Sequence, residues 1–105
     1  MELGKEIDLR PEQLQEVRRL LAEILPGVRV WAHGSRVLGT ARRTSDLDLL
    51  IFVSAGDRRV YEVREAFEES DLPFIVDVHA WDEIPAEWRA GIELGKFELA
   101  SSTTG

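Results

Sequence analysis

The chain has no cysteine, which excludes disulfides and thiolate metal sites and suits a reducing compartment. It also lacks a long hydrophobic run: the longest unbroken apolar stretch, Leu49–Val53, falls far short of a membrane span. Residues 1–10 are charged and hold no apolar segment of the signal-peptide kind, so the expected location is the cytoplasm. Positive charge is in deficit, with 13 Lys and Arg against 20 Asp and Glu and a formal net charge of -7, which argues against a general nucleic-acid binder. At 105 residues the chain can bury one core but has no room for a second substrate-binding domain. The expectation is a single domain over 1–105 with flexible ends at 1–9 and 100–105, whose site depends on substrate or partner for its missing walls.

What is present is a regular alternation of helical and extended patterns. Leu14, Val17, Leu21, Ile24 and Leu25 recur at helical spacing behind Pro11, and Pro26-Gly27 stops them, which predicts a helix over 11–25. Residues 28–33 are β-branched and aromatic and read as a strand. A polar loop over 39–45 leads into a second strand, 46–53, with Leu47, Leu49, Ile51 and Val53 on one face and Asp46, Asp48, Leu50 and Phe52 on the other. Both faces are apolar beyond Asp48, as expected of a strand inside a sheet. A helix over 57–69 with Asp57 as its cap, a strand over 74–80 and a weaker helix over 84–94 complete the pattern. Trp81, Trp88 and Phe97 give the carboxyl end more aromatic surface than a solvated helix needs, and are read as core or as a partner interface.

The most informative stretch is Gly34 to Asp48, GSRVLGTARRTSDLD. Gly34 lets the backbone approach a ligand closely, and Ser35 begins a helix-like turn whose amides suit an anion. Asp46 and Asp48, two apart on a strand, share a face at a spacing of about 6.5 Å along the chain. Carboxylates so placed repel, and a hard cation such as Mg²⁺ relieves the repulsion while bringing substrate phosphates. Capping or turn chemistry at Thr44-Ser45-Asp46 explains Asp46 but leaves Asp48 unexplained. DLDLL also matches the paired-aspartate loop of haloacid dehalogenase-like phosphatases, a fold that needs far more chain.

The run Gly34-Ser35, ten residues, Asp46, one residue, Asp48 resembles the signature of the DNA polymerase beta-like nucleotidyltransferases. The whole is similar to the minimal nucleotidyltransferases (MNT) that pair with HEPN-domain partners. The resemblance implies an α+β fold, a small mixed β-sheet with helices packed on it. It implies two Mg²⁺ ions held by Asp46 and Asp48, ATP as donor, and Gly34 and Ser35 on the β and γ phosphates. The acceptor it implies is a tyrosine hydroxyl of a HEPN toxin, making the chain an antitoxin that adenylylates its partner.

Asp77 sits between Val76 and Val78, where an aspartate needs a compensating partner. Either a salt bridge to an arginine explains it, or the third strand lies beside the second and Asp77 joins Asp46 and Asp48 as a third metal ligand and catalytic carboxylate, as the resemblance implies. Arg36 is assigned to the triphosphate, with Arg42 and Arg43 as candidate partner contacts. His33 and His79 flank the site and are read as edge or core histidines rather than bases. The competing reading is a binding module that neutralises its partner by covering it. Transfer to a small-molecule hydroxyl, as in aminoglycoside-modifying enzymes, generally needs an added domain.

Overall fold

The computed structural model describes residues 6–42 and 44–101. Helix α1 runs over Pro11–Ile24, with Pro11 at its first position and the Arg10 amide donating to the Gln13 side chain at 2.9 Å. Strand β1 is Val30–His33, followed by a single-turn helix α2, Ser35–Leu38. Strand β2 is Leu47–Ile51 and helix α3 is Arg58–Glu68. Strand β3, Val76–Ala80, passes through a 3₁₀ turn at Trp81–Glu83 into helix α4, Ala86–Gly95, and strand β4, Phe97–Ala100, ends the fold.

The strands form one sheet in the order β3-β2-β1-β4. β1 runs antiparallel to β2 and to β4, while β2 and β3 are parallel, joined through α3. The sheet is therefore mixed, as the α+β reading requires. Val30, Ala32, Leu47, Leu49, Ile51, Val78 and Ala80 project from one face and meet Val17, Leu20 and Leu21 of α1 and Val60, Val63 and Phe67 of α3 in a continuous core. Period-two and period-3.6 patterns converge on that layer. The opposite face holds Leu50, fully buried, and an edge-to-face and stacked cluster of Trp31, Phe52 and Trp81 with centroids 4.7, 5.4 and 4.9 Å apart. Trp88, by contrast, is 61 % exposed.

Several expected boundaries shift. The second strand is shorter than 46–53, so Asp46 stands just before the ladder, and Phe52 follows it with its amide bonded to the Arg29 carbonyl at 3.1 Å. The last helix begins after Pro85 rather than at Ile84. β4 was not expected, because four residues with Leu99 inward and Glu98 outward are too few to show a period. Of the ends expected to be flexible, residues 1–5 and 102–105 lie outside the described residues, as does Arg43. The inner parts are placed: Ile7 and Leu9 pack on the core, the Asp8 amide donates to the Arg36 carbonyl at 2.7 Å, and Ala100 pairs with Val30. Among the described residues no helix is long and apolar enough to cross a membrane.

Asp57 caps α3 as expected, its carboxylate accepting from the Arg59 amide at 2.9 Å and from the Arg59 guanidinium at 2.9 and 3.1 Å. Those bonds lower its pKa from 3.8 to about 2. A carboxylate depressed in the folded state contributes stability above its unfolded value and loses it as pH falls toward the folded one. Asp57→Ala should therefore melt below wild type at pH 7, with the gap closing between about pH 4 and pH 2. A gap independent of pH over that window in thermal melts would assign the effect to helix propensity instead of the charged cap.

Candidate active site

Strand pairing builds the site. β2 and β3 align Asp48 with Asp77, and β1 and β2 align His33 with Asp48. Register partners on adjacent strands project to the same face, so His33, Asp48 and Asp77 form one row across three strands, on the side away from α1 and α3. Asp46 lies one pleat before Asp48 on that side. The next row, Trp31, Leu50 and His79, belongs to the buried aromatic side of the sheet. The acids thus stand where burial ends, fixed by the core beneath and open at the rim.

Gly34 follows His33 directly and has φ of 88°. A Cβ at this position would collide with the Asp48 carboxylate, so the backbone here presses against the acid and only glycine fits. Ser35 then opens α2 beside the row, and the amides of Val37 and Leu38 bond back to the Gly34 carbonyl at 3.0 Å. The sequence placed Gly34 and Ser35 at a phosphate cradle; the structure puts Gly34 against the Asp48 carboxylate and Ser35 at the start of α2.

The electrostatics follow from that placement. Burial raises the pKa of Asp48; His33 opposes the rise, the charges of Asp77 and Asp46 add to it, and His79 again opposes. His33 is pushed the other way, lowered by burial against the pull of Asp48. Its Nε2 is buried without a hydrogen-bond partner among the described residues. The row is thus a half-buried set of like charges that a cation would relieve.

The donor set fits a hard divalent ion: it consists of carboxylate oxygens on an accessible rim, with the pKa of Asp48 raised by its burial. Among the described residues, however, no three His, Cys, Asp or Glu side chains gather in metal-holding geometry. Asp77 is bonded instead to His79 Nε2 at 3.3 Å, and His79 Nδ1 stands 3.7 Å from Glu83. Register thus aligns Asp48 with Asp77, while Asp46 stands outside the ladder and the three acids do not close on one point.

Arg36 requires a correction. Its guanidinium does not face the row; it is only 5 % exposed, donates to the carbonyls of Ser45 at 3.0 Å and Asp8 at 2.8 Å, and lies 4.2 Å over the Phe74 ring. Two residues after Gly34, about half a turn of helix, the side chain lies on the other side of α2 and ties Ser45, just before Asp46, to Asp8 of the amino-terminal segment. The sequence offered no signal for this, because a guanidinium beside a phosphate motif has an obvious electrostatic role and a buried one does not. His33 is the residue most undervalued from sequence. Its alternation with Trp31 and its place next to Gly34 were the available signals, but only the register makes it the neighbour of Asp48.

Comparison with known proteins bears on the fold and the family. Residues 14–98 match the profile of the nucleotidyltransferase domain. A protein of Haemophilus influenzae described as probable protein adenylyltransferase MntA is 40 % identical over 90 residues, covering 80 % of this chain and 75 % of its own length. Among solved structures, a toxin-antitoxin with AMP-PNP superposes with a TM-score of 0.68 at 19 % identity, over 86 % of this chain and 74 % of that one. A mutant of the toxin-antitoxin MntA-HpeT gives 0.67 at 17 % identity over the same shares. At such identities the structural likeness speaks for the fold, and the family rests on the profile and on the Haemophilus relative. The chain belongs to the nucleotidyltransferases, in the minimal branch of the polymerase beta-like class, and is an enzyme of that kind.

Proposed function

We propose that this enzyme moves AMP from ATP to a hydroxyl on a protein partner, a tyrosine of a HEPN-domain toxin, and so acts as the antitoxin of the pair. The observation that carries the reading is the register that sets Asp48 beside Asp77 with Gly34 pressed on Asp48. The relative described as a protein adenylyltransferase and the toxin-antitoxin structures of the same fold support the choice of acceptor and role.

In this reading Asp46, Asp48 and Asp77 would hold two Mg²⁺ ions, which would supply charge neutralisation at the donor phosphates. Gly34 admits the triphosphate to the row, and Ser35 at the start of α2 lies within the cradle. Asp77, the half-exposed member on the edge strand, takes the proton of the incoming hydroxyl. The hydroxyl oxygen bonds to the α-phosphorus, the α–β bridging bond breaks, and pyrophosphate leaves. Arg36 acts through position: its bonds to Ser45 and Asp8 hold the loop that delivers Asp46.

One observation favours the competing reading of a non-catalytic antitoxin that masks its partner, namely that Asp77 is engaged by His79. Mixing the protein with its partner, ATP and Mg²⁺ and weighing the partner by mass spectrometry separates the two. Added AMP mass that falls on the order of a hundredfold or more in rate with Asp46→Asn or Asp48→Asn supports transfer. No added mass, with both variants still neutralising the partner, leaves masking.

Stability gives an independent check on the row. A carboxyl whose pKa is raised on folding weakens the fold at pH values above it, so Asp48→Asn should melt above wild type at pH 7 without divalent ions, the advantage shrinking as pH falls through the raised pKa and gone by about pH 4. Added Mg²⁺ should raise the melting point of wild type and leave the variant unmoved. Gly34→Ala should abolish transfer and cost more than about 1 kcal/mol in urea titration, since φ and the Asp48 contact both oppose a side chain. Arg36→Met should destabilise by roughly 2–4 kcal/mol through the stranded carbonyls of Asp8 and Ser45. A raised KM for ATP with unchanged stability would return Arg36 to the phosphates.

A further inference from the structure

Away from the carboxylate row, a cavity of about 540 Å³ opens between the start of α1, the loop after α2 and the Pro73-Phe74 segment that precedes β3. Its volume is that of a small-molecule site. Its charge is opposite to that of the protein: Arg10, Arg36 and Arg42 line it against a single carboxylate, Asp8, in a chain of net charge -7.

The three arginines differ in what holds them. Arg36 is a rigid floor, buried and stacked on Phe74 at 4.2 Å. Among the described residues Arg42 is exposed and makes no ion pair, and the ion pair of Arg10 is with Glu12, at 3.5 Å with side chains 75 % and 69 % exposed. Such an exposed pair is weak and exchanges readily for a better acceptor. Two guanidiniums therefore stand ready for an anion, a planar fork suited to phosphate oxygens. Ala41, Pro73 and Phe74 supply an apolar wall, and Asp8 supplies an acceptor for a ligand hydroxyl. A second cavity of about 460 Å³ shares Thr44, Pro73 and Phe74 with the first and reaches Asp46. The two form a groove along the loop that delivers Asp46 to the site.

We propose that this cavity binds an organic phosphate monoester carrying a ring of nucleoside size, with the phosphate on Arg10 and Arg42, the ring against Pro73 and Phe74, and a hydroxyl on Asp8. The assignment does not depend on what the carboxylate row does.

The test uses AMP as the probe, titrated into the isotope-labelled full chain without divalent ions and followed by amide chemical shifts. Shifts centred on Arg42, Thr44 and Phe74 are expected. Affinity should fall at least about tenfold in the double variant Arg10→Gln/Arg42→Gln, whose fold is checked by circular dichroism, and weaken with salt. Inorganic phosphate should bind at least about tenfold more weakly than AMP, having no ring for the apolar wall. Unchanged affinity in the double variant, or shifts confined to residues around Gly34 and Asp48, would overturn the proposal. Equal binding of inorganic phosphate, or of an acidic peptide, would overturn the organic monoester as occupant. No transfer is measured, so loss of the transferase reading would leave these outcomes unaffected.

Discussion

The parallel pairing of β2 with β3 is the constraint on which the rest depends. It sets Asp48 and Asp77 side by side, an arrangement that like charges would not adopt by themselves. It survives because the other side of the same two strands carries Leu47, Leu49, Ile51, Val78 and Ala80, each at most 1 % exposed beneath α1 and α3. Slipping the register by one residue to separate the acids would turn that apolar set out to water. Core burial thus holds the two acids in register, and the pKa of Asp48 is raised by its burial first and by the charge of Asp77 in addition.

The glycine and the arginine of the Gly-Ser-Arg run serve that arrangement in different ways. Gly34 removes the side chain that would displace the Asp48 carboxylate, so the turn before α2 and the acid occupy adjacent space. Arg36 points away and spends its donors on backbone carbonyls, closing the polar loop against the amino-terminal residues. A loop rich in charged and turn-forming residues gains a defined path in this way, and Asp46 sits at its end. The edge strand β3 carries Asp77 and His79, both about half exposed, so the edge of the sheet is polar.

Legibility from the sequence varied with how local the cause was. The helices over 11–25 and 57–69, the faces of the second and third strands and the Asp57 cap were readable because period, stop residues and cap chemistry act within a few positions. The placement of Asp77 beside Asp48 was inferred from the discomfort of an aspartate among valines together with a family likeness, and pairing supplied the contact. Arg36 was misread because nothing local distinguishes a buried guanidinium from one facing a phosphate. β4 was missed because it gains its strand character from pairing with β1 rather than from its own four residues.

By itself the sequence determined the chemistry available: carboxylates without thiolates, a glycine-serine turn at a fixed distance from a paired-aspartate strand, and an apolar pattern that commits the strands to one sheet. Only the tertiary structure decided which of those groups meet. It made His33 the neighbour of Asp48, left Asp77 on His79, turned Arg36 inward and gathered Arg10 with Arg42 around a cavity. The reason is physical: residue type and spacing act along the chain, whereas register, side-chain direction and the joining of remote segments are set by how the core closes, and the core involves residues from every element at once.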